Sequence, residues 1–256
     1  MNAFFLPSVL FLPSVRRRRQ SGAAAVEFTV LAALLLLLGL AAIEAARWHQ
    51  VRQVLHLALL EAARAGAMAH GDPRRIRAAF LQSLLPLHAH PQGPAEAARR
   101  RDRALESLER NAGLPAWRIE VLSPAPDAFR RHARRWPARA GQLPADAAGL
   151  PAIGNDFQPE QHARPPAGPG PDIFEANTLR LRLRYLHRPM LPPVRALLGL
   201  WDGGPDAYNR RALARGLLPM QMELALEMHS HPVDWARARR RTENVTHGKC
   251  EAAACD

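Results

Sequence analysis

The stretch that most restricts this chain is the run from Ala23 to Ile43, AAAVEFTVLAALLLLLGLAAI, in which Glu27 is the only charged residue. At 1.5 Å per residue it is long enough to cross a hydrocarbon core of about 30 Å once as a helix. From Phe28 to Ile43 there are seven leucines, so the 48% apolar content of the 256 residues is concentrated here and the remainder is rich in Arg, Pro and Ala. About ten large apolar side chains favour insertion by roughly 3 to 6 kcal/mol, whereas a charge at the helix centre costs about 2.5 to 3.5 and one near an end costs less. The segment therefore inserts despite Glu27. Anchoring does not explain that carboxylate, and an acid inside a span calls for a partner.

Arg16 to Arg19 immediately precede the run, so the positive-inside bias predicts a cytoplasmic N-terminus and export of everything beyond Ile43. Upstream, FFLPSVLFLPSV repeats FLPSV, holds two prolines and has no preceding Lys or Arg; it reads as a leader extension, or as a misassigned start, rather than as a second span. The formal charge is +12, carried almost wholly by arginine because Lys249 is the only lysine. Removing Arg16 to Arg19 takes it to +8, enough for electrostatic capture of a polyanion at low salt. The cysteines are Cys250 and Cys255; in an oxidising compartment they can bridge, closing only a short loop.

The order of features is a basic leader, Gly22, four small or apolar residues, then Glu27 and Phe28. RRRRQSGAAAVEF resembles the processing site of type IV prepilins and, more closely, that of TadE-like pseudopilins of the tight-adherence (Flp) pilus systems. That resemblance implies cleavage by a prepilin peptidase after Gly22, with Ala23 as the new N-terminus and Glu27 as its fifth residue. It implies further that Glu27, with Phe28 beside it, sets subunit register by neutralising the free amine of a neighbouring subunit. An alanine at the first mature position, where major type IV pilins carry an aromatic residue, points to the pseudopilin class. The element AARAGAMAHGDPRRIRAAFLQSLLPL and the ordered series IEVLSP, GNDF, DIFEANTLRLRLRYLHRPMLPPVR and LLPMQMELALEMHSHP also follow the TadE-like layout, while the Pro-rich stretch and the tail after Trp235 do not.

Beyond the span, Trp48, Val51, Leu55, Leu59, Ala62 and Gly66 recur at three- or four-residue spacing and predict an amphipathic helix. Gly71, Asp72 and Pro73 supply a stop and a fresh start, after which Ile76, Phe80 and Leu84 share a face as far as Pro86. Residues 95–112 interleave Arg with acids, the pattern of a solvated surface helix ended by Gly113 and Pro115. Trp117, Ile119 and Val121 alternate with Arg118 and Glu120 as in a half-buried strand. Residues 137–172, with eight prolines, are expected to be irregular. NTLRLRLRYLHRP alternates Leu179, Leu181, Leu183 and Tyr185 with Arg180, Arg182 and Arg184. MQMELALEMH alternates Met220, Met222, Leu224, Leu226 and Met228 with Gln221, Glu223 and Glu227, and reads as a strand although its composition suits a helix. If the two strands pair, the arginine row lies beside the glutamates, Glu120 included, so that row is structural before it is a ligand site.

The expected fold is α+β: a transmembrane helix continuing into an amphipathic helix, then a small exported domain with helices packed on an antiparallel sheet. The divisions are leader 1–22, transmembrane helix 23–46, helices 47–112, first strand and flank 113–136, Pro/Gly-rich loop 137–172, strand-rich part 173–235 and basic tail 236–256. No phosphate loop, nucleophile elbow or HExxH motif is present. His88 with His90, and His229 with His231, lack thiol or carboxylate support and read as surface histidines, and Glu61 with Arg64 as a surface ion pair. No catalysis, metal, cofactor or small-molecule substrate is expected. The resemblance implies a minor pseudopilin of the bacterial inner membrane, with its C-terminal domain periplasmic or at the cell surface in a pilus. Its partners would be the prepilin peptidase, other pilins or pseudopilins, and the inner-membrane assembly platform. The alternative is an anchored extracytoplasmic module that grips DNA or acidic polysaccharide, and strongly salt-dependent retention of DNA would distinguish it.

Overall fold

The computed structural model describes residues 21–134, 143–201, 203–238 and 241–250. The chain forms two compact units, one ending at Ile43 and one beginning at Glu44. Helix α1 (Ser21–Met68) holds no proline and is dominated by alanine and leucine, the strongest helix formers. In the first unit its large apolar residues from Val26 to Ile43 are exposed, apart from the partly covered Leu40.

In the second unit α1 acquires a buried face at Leu55, Ala58, Leu59, Ala62 and Ala63, with Trp48 and Val51 packed against it, as the spacing predicts. It ends where His70 and Gly71 take positive φ and the Gly71 N–H reaches back to the Gly66 carbonyl at 2.9 Å. That closure is of the Schellman type, which glycine tolerates because it has no Cβ. Asp72 then caps α2 (Pro73–Ser83), its carboxylate accepting from the Arg74 N–H at 2.9 Å. A 3-10 turn at Leu85–His88 leads to α3 (Pro94–Ala112), which Gly113 terminates in the left-handed conformation. Glu96 pairs with Arg99 and Arg103 on its outer side. The helix is nevertheless not wholly solvated: Ala97, Arg101, Leu105 and Ala112 are buried, and Arg101 donates to the Leu81 carbonyl at 2.7 Å.

Strand β1 (Trp117–Ser123) is followed by α4 (Pro126–His132) and β2 (Ala133–Arg134), which pairs with β3 (Ala152–Ile153). Short order therefore enters the stretch expected to be irregular, and α5 (Gln158–Ala163) adds to it; prolines at its margins limit each piece to a few residues. After α6 (Ile173–Ala176) come β4 (Thr178–His187), α7 (Pro192–Gly199), α8 (Ala207–Ala214) and β5 (Leu218–Glu227). MQMELALEMH is thus a strand, paired along its length with β4 from Thr178↔Glu227 to His187↔Leu218.

The sheet order is β5-β4-β1-β6, where β6 (Val245–His247) comes from the tail. β5, β4 and β1 are antiparallel, but β6 runs parallel to β1. The expected antiparallel sheet is accordingly mixed. One face carries Trp117, Ile119, Val121, Leu179, Leu181 and Leu183 against α1 and α2, and Phe80 meets Trp117 with ring centroids 4.7 Å apart. These side chains form the main core, one sheet face covered by helices.

The chain leaving β5 clasps the corner between α1 and α2. The His229 N–H and the Ser230 hydroxyl both donate to the Ala67 carbonyl, at 3.1 and 2.8 Å, and the His70 N–H donates to Ser230 Oγ at 2.8 Å. The Val233 N–H and the Trp235 indole donate to the His70 carbonyl at 3.1 and 2.9 Å.

Candidate functional site

Gly22 and Ala23 lie in the first turns of α1, while the leader arginines lie outside the described residues. One turn further on, Glu27 is exposed and makes no ion pair among the described residues, and Phe28 beside it is 73% exposed. The neighbouring Thr29 hydroxyl donates to the Ala25 carbonyl at 2.8 Å, so this polar group is satisfied within the helix. Glu27 has no such internal solution. An exposed run of valine, leucine and phenylalanine that holds one carboxylate with no ion pair among the described residues is the kind of surface that suits lipid or neighbouring helices.

Glu44, the first residue after the apolar run, is the acid that sequence reasoning passed over. Its side chain is buried, and Oε2 accepts from the Met190 and Leu191 N–H groups at 2.8 and 3.0 Å. Its Oε1 lies 3.8 Å from His187 Nε2. Burial pushes the His187 imidazole below its ordinary value, with the Glu44 carboxylate opposing and Arg47 reinforcing the shift. Arg47 also reaches the Met190 sulfur at 3.9 Å. The only signal in the sequence is an acid placed one position past the last apolar residue, which periodicity alone assigns to solvent.

On the second face of the sheet, Glu120 is fully buried among three guanidinium groups. Its Oε1 lies 3.2 Å from Arg118 Nη2 and 3.0 Å from Arg184 Nε, and its Oε2 lies 3.4 Å from Arg182 Nη1. Arg182 also donates to Glu223 at 2.7 Å, and Arg184 pairs with Asp206 at the start of α8. Tyr208 closes the cluster: the Arg118 guanidinium sits 5.1 Å from its ring centroid, and its hydroxyl donates to the Pro115 carbonyl at 2.9 Å. Desolvation lowers the Arg118 pKa while Glu120 raises it, and Asp206 and Glu120 outweigh desolvation at Arg184. The expected pairing of the arginine and glutamate rows is therefore present. The half-buried reading of β1 is corrected, because α8 and its Asp206 cover the polar face as well, leaving Arg118 only 2% exposed. Arg182 and Arg184 are consumed internally and do not present a cationic stripe to a ligand.

Glu61 and Arg64 form the expected surface pair at 2.8 Å. Among the described residues no group of three or more His, Cys, Asp or Glu side chains could hold a metal. His231 Nδ1 instead accepts from the Asn155 N–H at 3.0 Å. Cys250 is buried, and its carbonyl accepts from Arg118 at 3.1 Å; Cys255 lies outside the described residues. The groups that converge do so to hold strands, corners and a helix end together.

An apolar helix long enough to cross a membrane once, carried on an α+β chain, fits the class of single-pass, membrane-anchored proteins. Residues 22–64 match the TadE-like protein family, a segment that opens at Gly22 and takes in the apolar run and most of the amphipathic continuation of α1. This is the family whose processing site the sequence resembles. No curated protein and no solved structure is similar enough to match the chain.

Proposed function

We propose that the chain is a minor pseudopilin that takes part in assembling a tight-adherence pilus. A TadE-like segment indicates a pilus-assembly role, and the observation that carries the finer reading is Glu27, exposed on the apolar helix and making no ion pair among the described residues. Cleavage after Gly22 would free an amine at Ala23. An amine or a carboxylate left alone in lipid is costly, so pairing between neighbouring copies or related pilins makes one axial stagger favourable over the rest. Ala23 to Ile43 then supplies the helix contacts, with the N-terminus cytoplasmic and the domain from Glu44 onward exported. In an oxidising compartment Cys250 and Cys255 would bridge, and both thiols would alkylate only after reduction.

N-terminal sequencing of the membrane-extracted native protein should begin at Ala23. Gly22→Leu should leave a slower-migrating protein that still bears its leader, whereas Glu27→Ala should be cleaved yet fail to co-assemble with pilins. A native N-terminus elsewhere, or unchanged migration of the Gly22 variant, would reduce the protein to a simple tethered domain.

A further inference from the structure

Helix α7, PPVRALLG, has one charged residue and buries none of its side chains. Around it Met190, Leu197, Leu200 and Trp201 are 49, 67, 82 and 69% exposed. Surface helices ordinarily turn their apolar stripe toward a core, and a contiguous exposed apolar patch marks a binding surface. Its place in the chain says for what. The helix starts immediately after Leu191, and the Met190 and Leu191 N–H groups are bonded to the carboxylate of Glu44. Glu44 follows Ile43 directly, so the start of α7 is held within hydrogen-bond reach of the residue that ends the apolar run.

The local chemistry suits that depth. Tryptophan with leucine is the composition of the headgroup boundary. Arg47 and Arg188 make no ion pair among the described residues, and with His88 and His187 they line a cleft of about 410 Å³ beside this segment. The two guanidinium groups, next to a bilayer, suit anionic headgroups. Eight residues span only about 12 Å, too little apolar area to bind a vesicle alone. In a chain anchored through its apolar run, a weak contact would become an intramolecular one.

We propose that residues 188–201 form a second, in-plane membrane contact. Met190, Leu197, Leu200 and Trp201 enter the interfacial layer of the leaflet where residue 44 emerges, and Arg47 and Arg188 face anionic lipid phosphates. This goes beyond pilus assembly and rests only on anchoring by the apolar run.

The test uses the full chain in phosphatidylcholine vesicles with and without phosphatidylglycerol. The emission difference between the wild type and Trp201→Phe isolates one tryptophan of five. Acyl chains brominated near the headgroup end should quench that difference about twofold or more, the depth at which an interfacial helix sits. Leu197→Ser with Leu200→Ser should abolish the quench while the chain still co-floats with vesicles, since both residues are exposed and outside the core. Arg47→Gln with Arg188→Gln should remove any gain from phosphatidylglycerol. A co-floating chain whose Trp201 is not quenched in either lipid would overturn the contact and leave the anchor standing. Trp201 shielding that appears only as copies are concentrated in the bilayer would also overturn it, assigning the patch to a protein neighbour. Failure to co-float would remove the anchor and this contact together.

Discussion

Glu120 shows how one residue can decide whether a face of a sheet is tolerable. Three guanidinium groups share its carboxylate inside the protein, and desolvating them is expensive unless the anion is present. Glu120→Ala should cost about 3 to 5 kcal/mol, because it strands buried cations rather than merely deleting a contact. Arg182→Met should cost less, since Arg182 has the most exposed side chain of the three and Glu120 keeps two partners. Both are read from denaturant midpoints in detergent. The alternation of Arg182 and Glu223 was legible in the sequence, but the enclosure of Arg118 and Glu120 was not. Period-two patterning assigns polar positions to water, and the residues that exclude water, Asp206 and Tyr208, lie more than eighty positions away. Gly66 is a second instance. A Cβ there would meet Ile76 Cγ1 at 2.8 Å and Leu179 Cδ2 at 2.9 Å. Gly66→Ala, which in an exposed helix would stabilise, should here destabilise by about 1 to 3 kcal/mol through overpacking.

At the scale of elements, helices and long strands follow from local pattern, whereas β6 does not. VTH is too short to carry a period, and its placement depends on β1 having a free edge. There the Ile119 N–H donates to the Asn244 carbonyl at 2.9 Å and the Gly248 N–H to the Val121 carbonyl at 2.8 Å. Truncation after Glu243 should therefore strip the Ile119 amide of protection in hydrogen exchange and lower stability by about 1 to 3 kcal/mol for that buried donor alone. Protection unchanged by truncation would mean that β1 does not need its parallel neighbour. The Pro-rich segment is the converse case: composition excludes long elements there but says nothing against two-residue strands or a single helical turn.

For the whole molecule, the titrating groups predict an asymmetric pH response. Burial holds His88, His187 and His231 below their ordinary value. Around them stand Arg100, Arg101 and Asp102; Glu44 and Arg47; and Asp156 and His70, respectively. The unfolded chain therefore takes up protons at a higher pH than the folded one, and stability falls as pH drops through about 6.5. Asp206 is held low by Arg184 and the Asn209 N–H despite desolvation, so its contribution persists until pH falls through the ordinary carboxylate range. Melting of the full chain in detergent should show little change from pH 8 to 7, a decline toward pH 5 and a steeper loss below about 4. His187→Gln should flatten the first decline without abolishing the second.

The clasp at Ala67 and His70 carries a mechanical consequence. Tension applied along α1 reaches Met68 and must next pass the corner, where the chain just past β5 grips two successive carbonyl sites of the helix end. The load is thereby divided among several bonds and delivered directly to a strand of the sheet, instead of peeling α2 away one turn at a time. In a force-extension experiment Ser230→Ala with Trp235→Phe should lower the rupture force of the first event far more than it lowers resistance to urea.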